Sequence, residues 1–162
     1  MRLASRRAYA GRCVTLLIQV ATTWAMTGII WFVQLVQYPS FAQVDSASFR
    51  AFHAHHSSAI SLIVAPLMVA EAVSGLAFLW VPLRVQTSWQ IWLGIGLIVF
   101  TWASTFLLQV PAHSQLASGF EERSWRMLVR SNWLRTIAWS ARAGLVTYWL
   151  HQTLDVGTRM GV

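Results

Sequence analysis

Histidines cluster at the start of one apolar stretch of the chain. The segment "FHAHHSS" holds His53, His55 and His56, and the apolar run that follows contains a single carboxylate, Glu71. In a helix, His53 and His56 are i, i+3 neighbours on one face, whereas His55 points elsewhere. A further histidine, His113, follows another apolar run. Imidazoles bind metals, accept protons and form hydrogen bonds, so these side chains are the first candidates for chemistry.

The histidines suggest a metal site. If the ends of the two apolar runs meet at one membrane face, His53, His56 and His113 could ligate copper, iron or zinc. Two of them could instead hold a haem. The alternative is a set of interfacial histidines that hydrogen-bond or titrate without a ligand, because no HExxH motif accompanies them. The sequence leaves both interpretations open.

Polar residues also recur at helical spacing inside the apolar stretches, where they are costly unless they face other helices or a site. Near one end of these stretches, amide, imidazole and guanidinium groups are predicted to meet in a small-molecule pocket. The expected members are Gln34, Gln37, His53, His56, Gln109, His113, Asn132 and Arg135. Within this set, the three glutamines are the predicted substrate-binding groups.

Two opposite charges lie deeper in the apolar stretches. Glu71 and Arg142 fall at similar depth when counted from the same ends, which predicts a buried ion pair; a functional proton or substrate site is the alternative. Glu71 follows His56 by fifteen residues, about 22 Å along a helix, so the two cannot ligate one metal. We therefore expect two separate polar layers.

Membrane helices must position these groups. Of the 162 residues, 56% are hydrophobic and only 10% are charged, whereas soluble domains have about 25% charged residues. Four stretches approach the ~20 residues that cross a bilayer: 13–38, 57–81, 89–110 and 132–151. The prediction is an all-α, four-transmembrane-helix bundle in a single domain, residues 1–162, without an internal repeat. Pro82 and Pro111 are expected to close the second and third spans.

The charge distribution predicts the topology. The net charge of +7 comes from arginines that flank the apolar segments rather than from a patch with interleaved aromatics, which argues against nucleic acid. Six arginines fall on the side of the N-terminus and four on the other: Arg2, Arg6, Arg7, Arg12, Arg84 and Arg159 against Arg50, Arg123, Arg126 and Arg130. This bias predicts cytoplasmic termini and two longer outer loops, in a bacterial inner membrane. The second of these loops, "GFEERSWRMLVRS", is expected to form a surface helix over the pocket.

A family resemblance appears in the last third of the chain. A Val-Pro-x-His-x-x-Leu turn is followed by a block containing Arg126, Asn132, Trp133, Arg135 and Thr136. In these motifs the chain resembles the anthrone oxygenase-like family of small four-helix membrane proteins. Some members resemble enzymes that oxygenate a tricyclic aromatic at an activated carbon. The resemblance implies that Asn132, Arg135 and His113 are catalytic: they would bind a phenol or enolate oxygen and move a proton.

The favoured function is therefore a membrane-embedded oxidoreductase or monooxygenase acting on a small apolar aromatic or quinone-like substrate. One alternative is an accessory protein that binds a metal or haem. Another is a small transporter or a non-catalytic bundle component. The expected partners are the lipid bilayer and a small apolar molecule, and homo-oligomerisation stays open.

Overall fold

The fold is an all-helical bundle, as the sequence predicts. The structure, a computed structural model, describes the backbone of residues 2–159 and the side chains of residues 10–158. Its long helices are α1 (Arg2–Phe32), α2 (Ser46–Ala77), α3 (Ser88–Ser104) and α4 (Glu122–Arg159), and this part of the chain contains no strand. Four of the arginines used for the topology prediction, Arg2, Arg6, Arg7 and Arg159, lie outside the described side chains.

Two helices continue through a π-helical turn. The α1 extension, residues 33–43, consists of the π turn Val33–Gln37, the α turn Tyr38–Ser40 and the 3-10 turn Phe41–Gln43. The α3 extension, residues 105–116, consists of the π turn Thr105–Gln109 and the helix Val110–Leu116. The prediction that Pro111 closes the third span is wrong, because Pro111 sits at the start of this last helix, where its missing N–H and fixed φ are tolerated.

The helices are longer than the predicted spans. α2 has 32 residues and α4 has 38, or about 48 and 57 Å, against a hydrocarbon core of about 30 Å. The expected long outer loops are therefore mostly helical, and the expected surface helix is the start of α4. The connections are residues 44–45, 78–87 and 117–121. We call the end of the bundle that carries residues 44–45 and 117–121 the outer end.

Carboxylates begin α2 and α4 ahead of their apolar parts. Asp45 accepts a hydrogen bond from the backbone N–H of Ala47 at 3.0 Å. Glu121 accepts from the backbone N–H groups of Arg123 and Ser124, at 3.2 and 2.7 Å. The hydrogen bonds from Ser124 hold the pKa of Glu121 below its ordinary value. These caps satisfy N–H groups at helix starts that lack an intrahelical partner, so both helices can start in polar sequence.

The apolar exterior indicates a membrane protein. Three helical segments, Ala10–Gln43, Ser46–Ala77 and Ser88–Leu116, are long and apolar enough to cross a membrane. α4 contains the remaining predicted span, 132–151, behind a first part rich in arginine. The helices alternate in direction and form a ring in the order α1, α2, α3, α4, in which the α2–α3 seam is packed most loosely.

A nine-residue motif occurs twice in the chain. Residues 35–43 read "LVQYPSFAQ" and residues 107–115 read "LLQVPAHSQ", with four identities in nine positions. Each stretch includes the end of a π turn and the proline after it, and each precedes a carboxylate-capped helix, at Asp45 and at Glu121. Each lies near the outer end of a helical hairpin, and both hairpins run the same way through the bundle. In this arrangement the α4–α1 seam corresponds to the α2–α3 seam.

Candidate functional site

A cleft of about 470 Å³ lies between α2 and α3, with α1 as its back wall. Along α2 the lining extends from His56 to Val69, thirteen residues or about 20 Å. Tyr38, His113 and Arg135 line its outer end, whereas its deeper part is mainly apolar. The deeper lining includes Met26, Ile30, Ile60, Val64, Met68 and Phe106. The volume is in the range of small-molecule sites, and so is the combination of apolar walls with a few polar groups.

The cleft opens sideways, between the two helices. Its rim residues Val69, Phe106 and Val110 are 50%, 57% and 46% exposed, and they belong to the apolar exterior that a membrane would cover. One hydrogen bond, between His53 and His113, joins α2 to α3 and its extension in the described part of the chain. A ligand dissolved in lipid would therefore reach the cleft without passing through water.

A hydrogen-bonded chain of three side chains forms the outer end of the cleft. The Tyr38 hydroxyl lies 3.1 Å from Nε2 of His113, and Nδ1 of His113 lies 3.0 Å from Nε2 of His53. Each ring nitrogen donates or accepts according to the tautomer. If Tyr38 donates to His113, then His113 donates to His53, and the opposite polarity is equally consistent. The chain can therefore pass a proton between the cleft and the outer histidines.

The π turns bring Tyr38, Gln109 and His113 to the cleft. A π turn contains about one residue more than an α turn, so later side chains are rotated by about 100° from the regular helical count. The rotation places Tyr38 in the interior at 4% exposure, while Gln37 is only half-buried. Sequence periodicity missed Tyr38 because it assumes a regular helix. The one available signal was the matched proline after each π turn.

Arg135 is a buried cation without a carboxylate. Its exposure is 6%, its guanidinium lies 5.2 Å from the centre of the Trp139 ring, and it neighbours the Tyr38 hydroxyl. Each of the five acidic residues has another role: Asp45 and Glu121 cap helices, Glu71 pairs with Arg142, Glu122 with Arg126, and Asp155 with His151. Burial of a charge without a counter-charge is costly, and such residues mark functional sites in membrane proteins.

Orphaned polar atoms concentrate around the same cleft. Four of its lining residues have a buried polar atom without a hydrogen-bond partner in the described structure: Ser57 Oγ, Trp102 Nε1, Gln109 Oε1 and Arg135 Nε. Buried polar groups are normally paired. A bound molecule that carries oxygen atoms would supply the missing partners.

Four of the eight predicted pocket residues lie outside the cleft lining: Gln34, Gln37, Asn132 and His53, the last of which is hydrogen-bonded to His113. The side-chain amide of Asn132 donates to Oε1 of Gln34 at 2.9 Å, and the amide of Gln34 donates to the Val129 carbonyl at 3.2 Å. These bonds join α4 to the α1 extension in the closed seam. Gln37 is half-buried, and its backbone carbonyl accepts from Ser40. Of the three glutamines, Gln109 alone lines the cleft.

The histidines proposed as metal ligands meet, but around a phenyl ring. Phe41 lies among them, with ring centroids 5.8, 5.1 and 6.4 Å from those of His53, His56 and His113. The nitrogens of His53 and His113 that face each other are hydrogen-bonded. Among the residues that the structure describes, no group of three or more His, Cys, Asp or Glu is arranged to hold a metal ion. The arrangement is a hydrogen-bonded chain beside an aromatic ring.

The inner layer is a saturated polar network. Nε of Arg142 lies 2.8 Å from Oε1 of Glu71, and both residues are 1% exposed. Glu71 also accepts hydrogen bonds from Thr23 and from Nε1 of Trp139, each at 2.9 Å. Nη1 of Arg142 donates to the carbonyl of Gly94 at 2.5 Å. The network joins all four helices, and a cavity of only about 10 Å³ lies beside Arg142.

Trp139 connects the two layers. Its indole N–H donates to Glu71 in the inner layer, and its ring faces the Arg135 guanidinium in the outer one. The electron-rich ring face offers Arg135 a partial substitute for a counter-ion. A side chain at Gly94 would be tightly packed beside this network, because its Cβ would lie 3.2 Å from the Trp149 ring.

No known relative identifies the chain. No protein-family model matches it, and neither a curated protein nor a solved structure matches it. The cleft is therefore the basis for the proposed function.

Proposed function

We propose that the protein is a membrane-embedded oxidoreductase or oxygenase acting on a small apolar molecule with one acidic oxygen, such as a hydroxy-aromatic or quinone-like compound. The observation that carries the proposal is Arg135, a buried cation without a carboxylate, in a mainly apolar cleft. The resemblance of the last third of the chain to the anthrone oxygenase-like family supports the same conclusion.

Arg135 would stabilise the anionic form of the substrate oxygen. A charge-assisted hydrogen bond is strong where water is excluded, and the walls of the cleft provide that environment. The nearby Tyr38 hydroxyl and Gln109 side chain would orient the same part of the substrate. Arg135 would thus favour the phenolate or enolate form over the neutral acid.

The Tyr38–His113–His53 chain would remove the proton. A proton that arrives at the Tyr38 oxygen releases the hydroxyl proton to Nε2 of His113, and His113 passes its Nδ1 proton to His53. General bases of this kind contribute about 10²–10⁴-fold to rates. His53 is the final proton acceptor, and Tyr38 and His113 relay the proton to it from the substrate.

The resulting anion is the electron-rich species that an oxidant attacks. In the oxygenase form of the proposal the oxidant is dioxygen: one oxygen atom replaces two hydrogens of an activated CH2 group as a carbonyl, and the other leaves as water. The protein residues bind the anion and move the proton, and they do not change oxidation state.

We further propose that all four helices cross the membrane, with 132–151 as the fourth span and both termini in the cytoplasm of a bacterial cell. The outer end of the cleft would then face away from the cytoplasm. The caps at residues 44–45 and 117–121 would lie in the outer headgroup region, where Arg50, Arg126 and Arg130 meet lipid phosphates.

The proposal is tested with purified protein in lipid nanodiscs. We expect 2-hydroxy-1,4-naphthoquinone, which is acidic and quinone-like, to quench tryptophan fluorescence saturably and to raise the melting temperature. Arg135→Gln is expected to weaken this binding at least 100-fold, whereas Arg130→Gln, an exposed arginine on the same helix, leaves it unchanged. Equal binding by wild type and Arg135→Gln would falsify the proposed role of the cleft.

Turnover is measured separately, as oxygen consumption with a panel of hydroxy-aromatic compounds. Tyr38→Phe removes the hydroxyl that links the cleft to His113 and is expected to lower the rate by about 10²–10⁴-fold while binding is retained. If wild-type protein consumes no oxygen with any compound that binds, the oxygenase form of the proposal is rejected.

A further inference from the structure

The shape of the cleft carries information beyond the acidic group that it binds. Its polar groups are concentrated at the outer end, while the lining continues for about 20 Å along α2. A compact ligand held at Arg135 would leave the part beside Met68 and Val69 unfilled. The occupant that matches the whole cleft has a polar head and an elongated apolar body.

The apolar track also continues beyond the cleft. A second groove of about 470 Å³, lined by Ala72, Ile98 and Val99 among others, shares Trp102 and Phe106 with the cleft. Its lining is wholly apolar and faces the exterior. The two cavities are therefore adjacent along the α2–α3 seam, and we refer to them together as the path that leads away from Arg135.

Small side chains on α2 keep this path open. Ser57, Ser61 and Ala65 follow one another at intervals of four residues, and all three line the cleft. In the counterpart seam, between α4 and α1, the equivalent space is closed by larger groups: Trp31 packs against Trp133 with centroids 5.7 Å apart and donates to Ser140. The opening is therefore a property of one seam and not of the hairpin packing in general.

We infer that the ligand is a single-chain amphiphile, whose acidic head binds Arg135 and whose apolar chain lies along the α2–α3 seam and continues into the bilayer. The inference rests on the proposed function and narrows its substrate class to chain-bearing acidic phenols and quinones. Charge complementarity fixes the head at Arg135, and the lateral opening lets the chain leave the cleft on the lipid side. Trp102 adds an indole N–H donor along the path, which can face an oxygen or a double bond of the chain.

The test compares two probes that share a head: 2-hydroxy-1,4-naphthoquinone and its 3-decyl derivative. Binding is measured in nanodiscs by tryptophan quenching. The concentration of each probe is given as its mole fraction in the bilayer, so that the two affinities do not differ merely because the probes partition differently into lipid. Ala65→Phe fills the path below the head site. It is expected to weaken binding of the decyl probe at least tenfold and that of the short probe less than twofold.

Ala59→Phe is the matched control, because Ala59 is an exposed alanine of α2 outside the cleft lining. It should affect neither probe. Ala65 is itself exposed on the lipid side, so the larger side chain does not enter the core, and retention of the wild-type melting temperature verifies that Ala65→Phe folds. Ala65→Leu provides a smaller version of the same change.

Three outcomes overturn the inference. The first two are that Ala65→Phe weakens binding of both probes equally, and that it weakens binding of neither. The third is that a 3-decyl-1,4-naphthoquinone without the acidic hydroxyl binds as well as the acid, which would mark a general lipid-chain site. Each of these outcomes leaves the proposed function intact if Arg135→Gln still abolishes binding of the short probe. Failure of the short probe to bind at all rejects the proposed function instead.

Discussion

Two arginines of α4, seven residues apart, are both buried and yet have opposite surroundings. Arg142 meets a carboxylate and a backbone carbonyl, and its network ties the four helices together. Arg135 faces a cleft, with an aromatic ring and a phenol as neighbours, and its Nε has no partner. The same residue type thus serves stability in one layer and is left available in the other. Burial therefore does not distinguish the two arginines, whereas the presence of a partner does, and for this reason Arg135 rather than Arg142 carries the proposed function.

The largest effect is expected on the free energy of unfolding when the buried arginine of each layer is replaced in turn. Arg142→Gln leaves the Glu71 carboxylate buried without its counter-charge and is expected to reduce the free energy of unfolding by about 3–5 kcal/mol. Arg135→Gln removes a charge that has no counter-ion, so its free energy of unfolding stays at the wild-type level or rises. Thermal and denaturant unfolding in detergent micelles measures both.

A double variant sharpens this result. Glu71→Gln with Arg142→Gln removes both charges and should lose less stability than the sum of the single changes, because the two groups interact directly. If Arg135→Gln and Arg142→Gln lower the free energy of unfolding equally, the proposed difference between the two layers is wrong.

A smaller effect is expected at Trp139, which belongs to both layers. Trp139→Phe removes the hydrogen bond to Glu71 but keeps an aromatic ring beneath Arg135. A hydrogen bond to a charged group contributes about 1.5–3 kcal/mol, so stability should fall by that amount while the affinity for the short naphthoquinone changes less than threefold. Trp139→Leu removes the ring as well and is expected to weaken binding further. If the two variants bind alike, the ring does not support Arg135.

The smallest effect is expected in the closed seam. Asn132→Leu leaves Gln34 without one hydrogen-bond partner and is expected to lower the free energy of unfolding by about 1–3 kcal/mol. Gln34→Leu with Asn132→Leu replaces the pair by apolar groups and should recover part of that loss, with ligand binding unchanged throughout. Loss of naphthoquinone binding in the double variant would instead place this pair in the ligand site.

The sequence alone is sufficient to predict where the helices form and that the two deep charges form a pair. Long apolar runs determine where helices form, and depth along those runs places Glu71 beside Arg142, which lie in contact at 2.8 Å. Their helices are regular between the charges and the outer end, apart from Pro66 in α2, so counting residues works. The predicted second and fourth spans begin later than the helices α2 and α4 that contain them, because hydropathy does not detect the capping carboxylates Asp45 and Glu121.

The outer site was less predictable on the α1 side because of the π turn there. That turn adds about one residue to the helical count, so regular periodicity places Gln37 in the pocket and passes over Tyr38, whereas Gln109 and His113 line the cleft as expected. No hydropathy pattern marks such a turn. The repeat "LVQYPSFAQ"/"LLQVPAHSQ" is too short and too divergent for a search based on composition or periodicity. Only the packed structure shows that its two copies occupy equivalent places.

The presence of two similarly placed hairpins in one chain has a consequence for how such a site can arise. In a dimer of two identical hairpins, any residue that seals one seam also seals the other, and any residue that opens one opens both. Joining the hairpins in one chain removes that constraint. Trp31 and Trp133 can seal one side while Ser57, Ser61 and Ala65 keep the opposite side open. Asymmetry of this kind lets half of the molecule act as a scaffold while the other half remains free to change its ligand.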